Sequence, residues 1–306
     1  MHSVINYEQR GTYGNNKYRG NCSGKVIKDL LLHYMGDSIG KPQKRQESFC
    51  EVFAGGGTGL DVARELGFKK SIHLDLNGKF GPSWNAMKDE IPVSSFIFSH
   101  PPYHDIIKYS GNVWGQPHPD DLSRCGSYEE FIKKLDFVNA KIYRALKRGG
   151  YHAFLVGDVR RNGQYFSIIK DMTWFGCIDA HVIKTQHNCF SDTKNYRGKF
   201  IPIKHEHLIV FKKEHLWAIP IKFNVNLEKD LRDSKHATWK DVVYAAMEMI
   251  GGTATLQELY DILSDTEKTK SNPNWKAKIR QTLQINQQFT PVKRGVWKFV
   301  DLEAIA

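Results

Sequence analysis

The chain is poor in cysteine and has none in pairs. Its five, Cys22, Cys50, Cys125, Cys177 and Cys189, are scattered, odd in number and never spaced C-x-x-C. That excludes a disulfide scaffold and argues against a structural zinc site. The thirteen histidines show no H-E-x-x-H or related spacing, so no metal is expected, and His205 and His207 read as ordinary residues at a strand start. Apolar runs are short. None approaches the roughly 18 residues of a membrane span, and Met1–Arg10 has no signal-like apolar core. The reading is a soluble protein of a reducing compartment, the cytoplasm, with no membrane partner. Internal repeats and low-complexity tracts are absent. Acidic charge is in deficit, with 33 Asp and Glu against 44 Lys and Arg and a net charge of +11. A basic surplus favours a polyanionic partner, because neutralising phosphates releases counterions.

What is present suffices for a large core. The chain has 306 residues, 41% of them apolar, enough for one large α/β domain and a small second one. Residues 1–17 are polar and glycine-containing and read as a flexible arm. Helical spacing runs from Val26 to Tyr34, followed by a polar connector over 36–47. Ser48–Phe53 reads as a buried strand ending in Ala54-Gly-Gly-Gly-Thr58, and Leu60–Leu66 as a helix. Ser71–Leu76 and Ser95–Ser99 read as strands, and Tyr128–Leu146 as a long amphipathic helix. Tyr151–Val156 reads as a strand, followed by a loop over Gly157–Gly163 and a helix from about Tyr165. Residues 206–212 read as a late strand. Strands alternating with helices predict a doubly wound, mostly parallel sheet, with ligands at the carboxyl ends of its strands. The glycine cluster, Asp75, the segment after Ser99 and Gly157-Asp158 should then share one rim. Residues 1–225 make up this domain in the reading, and 214–236 is linker-like. The second domain, 226–306, reads as three helices and a hairpin turning at Arg294-Gly295, the order of a winged helix-turn-helix.

Two segments carry chemistry. Glycines directly after a strand, in Glu51-Val-Phe-Ala-Gly-Gly-Gly-Thr58, let a ligand approach the backbone and meet its amide donors; a plain turn would look the same. Asp75, some 20 positions on at a strand end, can accept hydrogen bonds from both hydroxyls of a ribose, or merely cap a helix. In His100-Pro101-Pro102-Tyr103 the two prolines fix the backbone and remove two donors. Rigid carbonyl acceptors remain beside an aromatic ring. That suits an exocyclic amino group and a flat base, against the bland reading of a strand-end turn.

Tyr18-Arg-Gly-Asn-Cys-Ser23, Glu51–Thr58, Leu74-Asp-Leu-Asn77 and Ser99-His-Pro-Pro-Tyr103 stand in this order. Together they resemble the DNA amino-methyltransferase family, over roughly residues 16–212. The resemblance implies a Rossmann-like fold and S-adenosyl-L-methionine as cofactor. It implies direct methyl transfer to N6 of adenine, or alternatively N4 of cytosine, in a base flipped out of double-stranded DNA. Gly55 and Gly57 would pass beneath the cofactor's methionine part, with Phe53 beside it, and Asp75 would hold the ribose. Arg19, Asn21 and Ser23 would fix the amino-acid end. Glu51, Ala54, Leu76, Asn77 and Ser99 complete the implied cofactor set. His100, Pro101, Pro102 and Tyr103 would be the catalytic segment, Pro101 accepting from the target amine through its carbonyl and Tyr103 stacking on the base.

Three departures stand out. His100 occupies a position where the family has Asp, Asn or Ser. A neutral imidazole can accept a hydrogen bond and a protonated one cannot, so activity should fall on acidification through about pH 6.5. Only 22 residues separate Asn77 from His100, too few for a full helix and strand, which leaves Trp84 and Asn85 as candidates for contacts to the cofactor's adenine. No large target-recognition domain follows the catalytic segments. Its task would fall to the second domain, through Lys276, Lys278, Arg280, Gln281 and Gln284 on its third helix and Lys293 and Arg294 at its hairpin. A protein-interaction or dimerisation role is the bland alternative there, and Trp239, Trp275 and Trp297 read as core. The loop 111–126, with Trp114 and His118, could clamp DNA or simply be solvated. Asp158 could lie near the base or pair with an Arg, Arg160 and Arg161 could meet phosphate, and the stretch 184–204 could face DNA or be a disordered loop. A second copy of the chain and a cognate restriction endonuclease are further candidate partners. An RNA amino-methyltransferase and a non-catalytic winged-helix DNA-binding protein are the competing classes.

Overall fold

The computed structural model describes residues 1–41, 47–80, 82–187, 199, 201–215, 220–222, 231–233 and 237–299. The chain divides into two compact units, Met1–Asn224 and Val225–Ala306. The first runs β1 (Val4–Ile5), α1 (Gly24–Met35), β2 (Phe49–Val52), α2 (Thr58–Glu65), β3 (Ser71–Leu74), β4 (Ser94–Ser99), α3 (Tyr128–Ala145) and β5 (Leu146–Val156). It continues with β6 (Val159–Arg161), β7 (Gln164–Phe166), α4 (Ile168–Asp171), β8 (Trp174–Phe175), β9 (Cys177–Thr185), β10 (His205–Lys212) and β11 (Ile221–Lys222).

Seven of these strands form one sheet in the order β1-β9-β10-β5-β4-β2-β3. The run β3-β2-β4-β5 is parallel, as is β1 with β9; β10 alone opposes both its neighbours. This is the doubly wound, mostly parallel, Rossmann-like architecture read from the alternation of apolar strands and helices. Both faces are covered, and the period of two decides which residue goes where. Phe49, Phe96 and Phe98 turn to α1, meeting Val26, Ile27, Leu30 and Leu31. Cys50, Val52 and Ile97 turn the other way, to Val138 and Ile142 of α3. Helix α3 is started by Ser127, whose side chain accepts from the Glu130 amide, with Glu129 and Glu130 in its positive first turn.

The tertiary structure overrides the sequence reading in three places. The arm 1–17 is tied down: β1 extends the sheet edge along β9, the Gly14 amide donates to Asp61 and the Asn15 amide to the Gly56 carbonyl. The loop 157–163 is a hairpin, β6 to β7, turning at Asn162-Gly163 with φ of 49° and 80°. That is the two-residue turn an Asn-Gly pair favours, because both central residues need positive φ. The helix expected from Tyr165 shrinks to α4. Between β3 and β4 the described residues contain no helix, as the short spacing required.

The second unit holds α5 (Trp239–Met249), β12 (Thr253–Thr255), α6 (Leu256–Leu263), α7 (Glu267–Lys270), α8 (Trp275–Ile285), β13 (Phe289–Lys293) and β14 (Val296–Phe299). Thr238 with Asp241, and Thr255 with Glu258, form reciprocal capping boxes that start α5 and α6. Gly251 and Gly252, both at φ 83°, end α5. Three strands pair in the order β12-β14-β13, β12 being unforeseen. Val242, Met247, Leu259, Leu263, Ile279 and Leu283 form the core, and Trp239, Trp275 and Trp297 pack against it.

Candidate active site

The strands deliver their loops to one rim. Because β10 runs antiparallel, its first residues, His205–His207, lie at the same edge as the last residues of β4 and β5. A cleft opens there, lined by the glycine turn, Asp75 and the segment after β4.

The turn after β2 is shaped by backbone need. Phe53, at φ 66°, takes a left-handed conformation that costs a non-glycine residue. Gly55 and Gly57 also have positive φ, and a Cβ on Gly57 would come within 2.8 Å of the Phe80 ring. A Cβ on Gly59 would meet the Glu51 carboxylate at 2.5 Å, so the first turn of α2 can only close over that acid as glycine. Glu51 is buried, accepting from the Gly59 amide at 3.1 Å and contacting His73 Nδ1 at 2.7 Å. Burial raises its pKa against these contacts.

Asp75 accepts the Gly55 amide at 2.7 Å on one carboxylate oxygen and the Asn77 amide at 3.0 Å on the other. Each oxygen keeps lone-pair capacity for a further donor. Burial raises its pKa, with the two amides working in the opposite direction.

Of the residues expected around a cofactor, Asn21, Glu51, Phe53, Ala54, Gly55, Asp75 and Leu76 line the cleft, and His100 and Pro102 line it with them. The others lie elsewhere. Arg19 is exposed, on a separate depression with Lys17 and Lys108. Ser23 donates to the Arg10 carbonyl beneath α1. Gly57 sits behind the turn as the residue before α2. Asn77 is engaged with Asp75 and Lys79. Ser99 is fully buried against His152 at 2.6 Å. Asn21 spends its side chain on protein, accepting from Gly56 and donating to Asn15, and so tethers the glycine turn to the arm. Trp84 lines the cleft, whereas Asn85 is not among its lining residues and its side chain is engaged with Asp120 and the Met87 amide.

The catalytic segment is also rearranged. Pro101 is buried. Tyr103 is not on the cleft wall. Its ring lies over Gly157, where a Cβ would come within 2.7 Å, and its hydroxyl donates to Glu206 at 2.7 Å. His100 Nε2 meets that hydroxyl at 2.8 Å. Burial pushes His100 down to about 4, with Glu206 opposing and Lys184 assisting. An acid limb is therefore expected nearer 4 than the 6.5 of an ordinary histidine. Glu206 would be raised by burial, but Lys184, His100 and the hydrogen bonds it accepts hold it below the ordinary carboxylate range.

Sequence reasoning missed the aromatic cover. Tyr18, Tyr109 and Trp114 line the cleft, with the Tyr18 and Tyr109 rings stacked at 5.8 Å. Nor is their loop simply solvated. Buried Asp121 accepts from the amides and hydroxyls of Ser110 and Ser123 at 2.6 to 2.9 Å, and Arg124 holds the Ser110 carbonyl at 2.7 Å. Asp121→Ala would orphan those donors and is expected to cost about 3 kcal/mol of stability, read by urea denaturation. Lys184 and Glu206 were missed too; charged residues inside apolar strands were the signal, but only strand register pairs them.

Asp158 contacts His207 at 3.3 Å, Tyr165 at 2.5 Å and Ser167 at 3.0 Å. With His205 and His207 it brings three donor atoms within 4.8 Å of one another. Arg161 pairs with Asp105 at 2.9 Å. The part of the 184–204 stretch covering 188–198 and 200 lies outside the described residues.

No protein-family model and no curated protein matches this chain. Solved structures resemble it distantly. A protein provisionally called a hemolysin from Lactococcus lactis is 12% identical, with 66% of this chain and 91% of that one covered and a TM-score of 0.38. One provisionally called a DNA modification methylase from Thermus thermophilus, complexed with S-adenosyl-L-methionine, is 20% identical over 48% and 57%, with a TM-score of 0.29. TrmN from Thermus thermophilus is 14% identical over 64% and 50%, with a TM-score of 0.35. Likeness of this degree carries nothing about substrate or chemistry.

Proposed function

We propose that this chain is an S-adenosylmethionine-dependent methyltransferase that modifies an exocyclic amino group of a nucleic-acid base, with N6 of adenine in double-stranded DNA as the preferred target. One observation carries this reading: Gly55, Asp75, His100 and Pro102 all line the same cleft. A donor bound at the first pair would share that cleft with an amine held at the second.

The residues present fit that cofactor. Asp75 offers two carboxylate oxygens to ribose hydroxyls, Gly55 brings bare backbone to the cleft with the Tyr18 ring close beside it, and Phe53, Trp84 and Leu76 offer apolar walls. When bound, S-adenosylmethionine supplies an electrophilic methyl group. The chain's own residues orient the amine. His100 accepts a hydrogen bond from it, aims its lone pair and stabilises positive charge as it develops. Tyr18, Tyr109 and Trp114 exclude water from the cofactor side. A target base must leave the duplex to present its amine.

The second unit is read as a winged helix that holds the duplex. Lys276, Arg280 and Gln284 recur every four residues along the exposed face of α8, opposite buried Ile279 and Leu283, with Gln281 exposed beside them. Lys278 is half-buried and bonds Gln281 at 2.9 Å, while Lys293 and Arg294 are exposed at the hairpin. Lys276→Glu with Arg280→Glu is expected to weaken duplex binding at least about tenfold and to flatten its salt dependence by about two units of slope. Fluorescence anisotropy across salt concentrations reads both.

Incubation with labelled cofactor and unmodified DNA, followed by nucleoside analysis, tests the whole reading. N6-methyladenine is the expected product. N4-methylcytosine would move the target, label in RNA alone would move the substrate class, and no transfer to any nucleic acid would reject the reading.

A further inference from the structure

Four side chains, two on neighbouring strands and two on the segment after β4, make a chain of hydrogen bonds that ends in the cleft. Lys184 on β9 and Glu206 on β10 are direct cross-strand partners, exposed by only 9% and 6%, and join at 2.6 Å. Glu206 takes the Tyr103 proton through its other oxygen at 2.7 Å, and the Tyr103 hydroxyl meets His100 Nε2 at 2.8 Å. The direction of each bond follows from inventory. Lys184 can only donate, and an ionised Glu206 can only accept. Tyr103 has one proton and gives it to Glu206. Its oxygen must therefore accept from His100, so the imidazole proton sits on Nε2. Nδ1 is left with a bare lone pair and, among the described residues, no hydrogen-bond partner.

We infer that Lys184 and Glu206 are positioning residues that act through Tyr103 to hold His100 in its Nε2–H tautomer, which keeps Nδ1 as the acceptor for the target amino group. The tautomer is a property of the protein alone; its use rests on the function proposed above. Tyr103 is on this account an anchor behind His100 and not a platform for the base.

Glu206→Gln should reverse the chain. The Lys184 ammonium claims the new amide oxygen, so the amide nitrogen faces Tyr103 and donates to it. Tyr103 then gives its proton to His100 Nε2, the imidazole proton moves to Nδ1, and the acceptor becomes a donor. Tyr103→Phe cannot donate and would release His100 from that reversal.

The experiment is ¹⁵N NMR of histidine-labelled full-length protein, with His100 assigned from the His100→Gln spectrum, alongside methyl transfer to DNA and cofactor affinity. The expected result is Nε2–H in the native chain and Nδ1–H in Glu206→Gln. Transfer should drop roughly 100-fold in Glu206→Gln, with cofactor affinity held within about threefold. Adding Tyr103→Phe to Glu206→Gln should recover about tenfold, whereas damage to packing would only accumulate. Nδ1–H in the native chain, or a double variant no more active than the single one, overturns the inference. The native tautomer decides it even if Glu206→Gln unfolds. Native protein showing Nε2–H but transferring no methyl to any nucleic acid would reject the function and leave the tautomer lock standing.

Discussion

Asp75→Ala is expected to raise the dissociation constant for S-adenosylmethionine about 100-fold, measured by isothermal titration calorimetry. Two charge-assisted hydrogen bonds to the ribose hydroxyls would be lost, each worth about 1.5 to 3 kcal/mol, and a factor of 100 corresponds to about 2.8 kcal/mol. Part of the effect would come through the protein. The Asp75 carboxylate accepts both the Gly55 and the Asn77 amide, so the alanine variant also loosens the turn meant to lie under the methionine part. Asp75→Asn separates the two contributions. Its single carbonyl oxygen can serve one amide, while its NH2 confronts the other amide and the ribose. It should therefore be nearly as damaging as alanine for cofactor binding while costing less stability. Unchanged affinity in both variants, with the fold intact by circular dichroism, would remove the ribose site from the cleft.

His100→Ala is expected to lower kcat about 100-fold with cofactor affinity unchanged, because an acceptor for the developing charge is lost and no cofactor contact goes with it. The pH profile of the native chain is the sharper measurement. The working form is the neutral imidazole. An ordinary histidine protonates through about 6.5, but burial holds His100 down to about 4. Activity should therefore stay level from pH 8 through 6.5 and fall only as pH drops towards 4. A half-maximal point at 6.5 would show that His100 is solvated and ordinary, and a profile unchanged in His100→Ala would show that it is not the titrating group.

Much of this was legible before any coordinates. The strands β2 and β4 announced themselves as short apolar runs. The glycine turn, Asp75 and the Pro-Pro-Tyr segment each directly followed a strand, and a parallel sheet has only one rim on which strand ends can gather. That an element between β3 and β4 would be reduced followed from simple length. Other features were not legible because they depend on partners distant in sequence. Asn21 looked like a cofactor contact, yet its amide is spent holding Gly56 and Asn15. The loop around Trp114 looked as free as any polar loop, and only Asp121 gathering Ser110 and Ser123 makes it a wall. The hairpin at Asn162-Gly163 was local and could have been read from its Asn-Gly pair.

By itself, the order of residues determined which strands are buried, where their loops end and which groups with acceptors and donors reach the rim, because these follow from periodicity and chain connectivity over a few residues. Tertiary structure decided the protonation and direction of those groups. Only the register of β9 against β10 sets Lys184 opposite Glu206, and only the antiparallel course of β10 brings that pair to Tyr103. Hydrogen-bond polarity passes from neighbour to neighbour in space, so His100 takes its tautomer from residues about a hundred positions away.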